Sequence, residues 1–153
     1  MPETNHPRLA VFFVCFTLFT IGCGPTGAAS TLAPSVGWTQ TEFLLESEFA
    51  LRVGQTASLG GGGGLQITLE TIDEDSRCPV GLTCVWAGDA VAVVRLQVSS
   101  GAEGVFELHT HSRFDREAAF EGYTVRLIEL SPVPHEGSTI ELEEYRATLD
   151  VSR

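Results

Sequence analysis

The stretch Leu65-Gln66-Ile67-Thr68-Leu69-Glu70 alternates apolar with polar residues at every step. Successive side chains of an extended chain point to opposite faces, so this segment reads as a strand with one face in a core and the other in water. The same period recurs outward in both directions. Phe49, Leu51 and Val53 alternate with Ala50 and Arg52, and Val94, Leu96 and Val98 with Arg95, Gln97 and Ser99. Tyr123, Val125 and Leu127 alternate with Thr124 and Arg126, and Tyr145, Ala147, Leu149 and Val151 with Arg146, Thr148 and Asp150. Gly, Pro, Asp and Ser clusters punctuate the intervals. Such spacing predicts about seven strands in an all-β, antiparallel β-sandwich of immunoglobulin-like type over residues 42–153. Only residues 113–121 read as a helical turn, with Ser112 as its cap. Gly60 to Gly64 reads as a loose, exposed hairpin loop, because a phosphate-binding loop needs a Lys-Ser/Thr and a following helix that are absent here.

Ahead of this domain the pattern is different. Residues 9–21 form an unbroken apolar run, too short for the roughly 20 residues of a membrane-spanning helix. It has the character of a secretory signal, preceded by the single cation Arg8. The run ends in Thr20-Ile21-Gly22-Cys23, which resembles the lipobox of bacterial lipoproteins. In that family the cysteine is acylated and the signal is cut just before it. The resemblance implies a signal peptide at 1–22, a lipid on Cys23, and a bacterial envelope location at the outer membrane or cell surface. Thr20 departs from the aliphatic residue usual at its position. Residues 24–41, rich in Gly, Ala, Ser, Thr and Pro, complete a flexible tether spanning 23–41.

With Cys15 inside the signal and Cys23 acylated, Cys78 and Cys84 remain as a pair in an oxidising compartment, where a disulfide is expected. A zinc site on two thiolates needs further ligands at suitable spacing, and none adjoin them. Removing residues 1–22 takes away one acid, Glu3, and one base, Arg8, so the net charge stays at −11. A chain this acidic repels nucleic acid and anionic lipid heads alike. Membrane attachment is therefore expected through the N-terminal lipid alone.

The segment from Asp75-Ser76-Arg77-Cys78-Pro79 to Cys84-Val85-Trp86-Ala87-Gly88 resembles a motif in a family of small bacterial extracytoplasmic proteins with no assigned activity. Gly122-Tyr123-Thr124-Val125-Arg126-Leu127 and Tyr145-Arg146-Ala147-Thr148-Leu149 extend the likeness over about residues 48–152. It implies a fold and a location, and carries no catalytic residues with it. Read from the residues, Asp75 and Ser76 close a turn, Arg77 pairs with Asp73 or Asp75, and Trp86 covers the disulfide as a core tryptophan does in immunoglobulin-like domains. The alternative is a recognition loop built from Asp75, Arg77 and Trp86, joined by the stiff stretch 131–138 with Pro132, Pro134 and His135. A rigid loop of that kind enters a protease cleft at little ordering cost.

Two weaker chemical patterns complete the inventory. Glu107, His109 and His111 share one strand face, and His-x-His suits zinc or copper, although Glu107 and His111 stand about 13 Å apart along a strand. The acids Asp73, Glu74 and Asp75 lack the spacing and glycine of a calcium loop. No Gly-x-Ser-x-Gly elbow is present. The expectation is thus a non-enzymatic envelope lipoprotein that binds another envelope protein or serves a structural role, with no required cofactor. A protease-inhibitor-like or metal-binding domain is the alternative.

Overall fold

The computed structural model describes residues 41–153, and the signal, Cys23 and the tether up to residue 40 lie outside it. The described chain is the expected all-β sandwich of two sheets. Its strands are β1 (Thr41–Phe43), β2 (Phe49–Arg52), β3 (Thr56–Leu59), β4 (Leu65–Asp75), β5 (Ala90–Val98), β6 (Glu103–His109), β7 (Glu117–Phe120), β8 (Tyr123–Ser131) and β9 (Arg146–Ser152). One sheet runs β1-β3-β4-β5-β6 and the other β2-β9-β8-β7. All pairings are antiparallel except β1 with β3. The count exceeds seven because β1, β3 and β7, at three or four residues each, are too short for their alternation to stand out.

The predicted inward residues form the core. Leu65, Ile67, Leu69, Val94, Leu96, Val125, Leu127, Leu149 and Val151 are all buried, while Gln66 and Gln97 face water. At both edges an aromatic pair spans the two sheets. Phe43 stacks on Phe49 with ring centroids 4.4 Å apart, and Phe106 meets Phe120 edge-on at 5.7 Å. All of these contacts, with both sheets, lie within the described residues, 41–153.

Two irregularities change the phase of the alternation. The β4–β5 register shifts between Leu69 and Thr71, and the β8–β9 register between Leu127 and Glu129. Inward positions accordingly pass from Leu69 to Ile72 on β4, and from Leu127 to Leu130 on β8. Each bulge inserts one residue and re-aims everything beyond it. A second shift between Ile72 and Asp75 turns Asp75 inward.

Residues 113–121 are not a helical turn. His111 to Phe114 makes a bend, and Glu117–Phe120 is a strand whose Ala118 is buried while Glu117 and Ala119 face out. Period two and the open edge of β8 prevail over the helix propensity of Glu and Ala there. The five glycines do join β3 to β4, through a 3-10 turn, but they are tied down. Tyr123 Oη donates to the Gly63 carbonyl at 2.8 Å and the Ser99 amide to that of Gly64 at 2.9 Å.

Candidate functional site: three connections at one end of the sandwich

Strand directions bring the long connections, residues 76–89, 110–116 and 132–145, to the same end of the sandwich. They are laced to one another. The first folds back on itself: the Ser76 amide donates to the Asp89 carbonyl at 2.7 Å and the Cys78 amide to that of Ala87 at 3.0 Å. Gly88 lies so close that a Cβ there would stand 1.9 Å from the Ser76 carbonyl oxygen. Within this fold Cys78 and Cys84 form the expected disulfide.

Asp89 fixes the first connection to the second. This carboxylate is buried, and its Oδ2 lies 2.6 Å from His109 Nδ1. Its Oδ1 accepts from the Thr110 hydroxyl at 3.0 Å and the His111 amide at 2.8 Å. Burial alone pushes such a group up, but the donors from His109, His111 and Thr110 outweigh it and hold the acid below its ordinary 3.8. Thr110 closes the link by accepting the Ala90 amide and donating its own to the Ala90 carbonyl.

Asp75 and Arg77 fix the first connection to the third. Arg77 makes a two-pronged pair with Asp75, at 2.8 and 2.6 Å, and donates to the Leu130 and Pro132 carbonyls. Tyr145 Oη donates to Asp75 Oδ2 at 2.9 Å. Burial and that bond push the Tyr145 hydroxyl up to about 12. Asp75 is desolvated too, yet the Arg77 and Tyr145 donors hold it below its ordinary value. Finally the Val80 amide donates to the Pro134 carbonyl at 2.8 Å, where Val80 and His135 form a parallel bridge. The cysteine loop and the proline loop are one surface, separated by an open cleft of about 330 Å³ lined by Asp75, Arg77, Pro79, Pro134, His135 and Tyr145. Of the two pairings open to Arg77, Asp75 is the one made; its guanidinium is committed to that carboxylate and to backbone.

Compared with family models, curated proteins and solved structures, the chain matches none.

The site is therefore described by its own chemistry. Trp86 does not cover the disulfide from a core position: it is 55% exposed, and its ring lies 6.0 Å from that of His111. The loop it rides on is closed at its base by the Ser76–Asp89 hydrogen bonds, and the neighbouring Val85 is fully exposed as well. His111 also meets Phe114, at 5.9 Å, and Phe114 meets His109, at 5.0 Å. The result is a row of four rings at the surface. Nine large apolar residues are exposed on the described domain, and seven belong to these connections. Val80, Leu82, Val85 and Trp86 lie on the first, Phe114 on the second, and Val133 and Leu142 on the third.

The His-x-His pattern is put to other use. His109 has its Nδ1 held by a carboxylate, as metal-binding histidines commonly do. His111 Nδ1 instead accepts the Arg113 amide at 3.1 Å, so its lone pair already has a backbone partner. Among the described residues no group of three or more His, Cys, Asp or Glu is placed to hold a metal ion. Asp73 and Glu74 are exposed, whereas Asp75 serves Arg77. A second cleft of similar size, about 310 Å³, lies at the opposite end among Ser58, Gly64, Gln66, Gln97 and Ser99 and contains no titratable group.

Asp89, Tyr145 and Phe114 take part in the contacts of this end, and the sequence pattern did not single them out for it. Asp89 had one signal, an acid immediately before an apolar strand start where it must be buried or capped.

Proposed function

We propose that this chain is a lipid-anchored protein of the bacterial cell envelope whose β-sandwich is a non-enzymatic binding module. Its anchor is the lipidated Cys23, at the outer membrane or cell surface, and its binding face is the end built from 76–89, 110–116 and 132–145. The observation that carries this reading is the placement of seven of the nine exposed large apolar residues on those connections. Solvent-exposed Val, Leu, Trp and Phe gathered at one place mark an interaction site, and Trp is prominent among residues that dominate binding energy. The braced backbone supports it as well, since loops already ordered lose little entropy on binding. Stiff presentation of 131–138 on the cysteine loop also suits a protease inhibitor, and a panel of proteases assayed with the domain tests that narrower form.

Two experiments test the proposal. Replacing Cys23 with Ser should move the protein out of the membrane fraction; unchanged partitioning refutes the anchor. Pull-down from crosslinked membranes should return the same envelope protein repeatedly; an empty or random yield refutes the binding module.

A further inference from the structure

On the sheets, Glu70 and Glu103 are paired with Arg95 and Glu117 with Arg126, while Glu107, Glu129 and Asp150 have no basic partner within 4 Å among the described residues. On the loop end, Asp115, Glu136, Glu141 and Glu143 are exposed, and among the described residues none has a basic partner within 4 Å. Arg113 is the one exposed arginine of the three connections. The second and third connections thus carry exposed apolar residues together with exposed acids that make no ion pair, on a chain of net charge −11, although Arg52 and Arg146 line one cleft with Glu143.

We infer that the occupant of this end is a basic amphipathic protein segment, with an apolar stripe that seats on Val85, Trp86 and Val133 and flanking Lys or Arg side chains that meet Asp115, Glu136 and Glu143. The inference rests on the reading of this end as the binding face and adds the chemistry of what it binds. Opposite charge around an apolar centre steers encounter and rejects wrong partners, while the desolvated centre supplies most of the affinity. An acidic protein, a nucleic acid and an anionic bilayer are all disfavoured by the same field. A zwitterionic bilayer would leave the acids uncompensated beside the interface, whereas a basic segment neutralises them.

The test uses residues 24–153, which retain all nine strands of both sheets, with Trp38→Phe so that Trp86 is the sole tryptophan. Its emission is followed during titration with three synthetic helical peptides of equal length, Leu–Lys, Leu–Gln and Leu–Glu, and with phosphatidylcholine vesicles. The Leu–Lys peptide should give a saturable blue shift, and Leu–Gln should bind at least about tenfold more weakly, with the gap closing as salt rises. Val85→Asp with Val133→Asp should weaken Leu–Lys binding at least about tenfold, with an unchanged circular dichroism spectrum. Asp115→Asn, Glu136→Gln and Glu143→Gln together should remove the preference for Lys over Gln. Equal binding of Leu–Gln keeps the face and overturns the inferred charge of its occupant. A shift with vesicles alone makes the face a lipid-docking surface and overturns the inference. So does the absence of any saturable shift, or Leu–Lys binding that survives the double aspartate variant.

Discussion

At one end of the sandwich the strands are joined by Gly60–Gly64, by residues 99–102 and by Glu121–Gly122; at the other they are joined by residues 76–89, 110–116 and 132–145. The first set turns the chain with little else to do. Gly61, Gly62, Gly64, Gly101 and Gly122 all take positive φ, the economical way to reverse a strand in a few residues. The second set is long and internally hydrogen-bonded. It uses two carboxylates, the buried Asp89 and the mostly buried Asp75, to lock its members together. Buried acids are costly unless fully met by donors. Here they are met, and the structure obtained is an ordered platform that leaves Val85 and Trp86 in solvent. The contrast separates a fold-closing end from a surface-building end, and substitutions should sort along the same line.

Gly88→Ala should be the most damaging change considered. A Cβ would sit 1.9 Å from the Ser76 carbonyl, at φ +72°, and the cost should be about 4 kcal/mol, the upper range for one substitution. Gly122→Ala, at φ +79° with nothing within 4 Å, meets only left-handed strain, about 1 kcal/mol. Chemical denaturation of both variants checks the difference, and equal losses would mean that the first connection is not packed as described.

Asp89→Ala strips three donors of their acceptor at once and should cost about 3 kcal/mol. Its titration sharpens the point. An acid held below 3.8 in the folded state favours folding above that pH, and the benefit fades as the pH falls through the lowered value. The wild type should therefore lose stability on acidification below about pH 4, and Asp89→Asn should flatten the slope of melting temperature against pH there.

Cys78→Ser with Cys84→Ser opens a small loop and should cost about 2 kcal/mol, less than the 3 kcal/mol of a 15-residue loop. The Asp75–Arg77 and Ser76–Asp89 contacts should persist in that variant, so protection of the Cys78 and Ser76 positions from hydrogen exchange should fall only partly. Least of all, Trp86→Ala should change stability by under about 0.5 kcal/mol, because the side chain stands mostly in water. A large loss of stability there would mean that Trp86 supports the fold rather than a partner.

The sequence made the strands legible wherever five or more residues kept one phase, as in Leu65–Leu69 and Tyr145–Val151. It also isolated Cys78 and Cys84 as the pair that closes a loop. The bulges on β4 and β8 were not legible, since each breaks the alternation that reveals a strand. Asp89 and His109 meet across 20 positions, and Asp75 and Tyr145 across 70. Contacts of that range follow from strand order, which local pattern does not encode. Trp86 was misplaced because a tryptophan beside a cysteine is equally compatible with core and surface.

The two-ended account is tested most directly by a photoreactive amino acid introduced at Val85, and separately at Gly101, in bacteria carrying the full-length protein. Irradiation should give one discrete crosslinked species from position 85 and none from position 101. No adduct at 85, or the same adduct at both positions, would contradict a binding surface confined to the braced end.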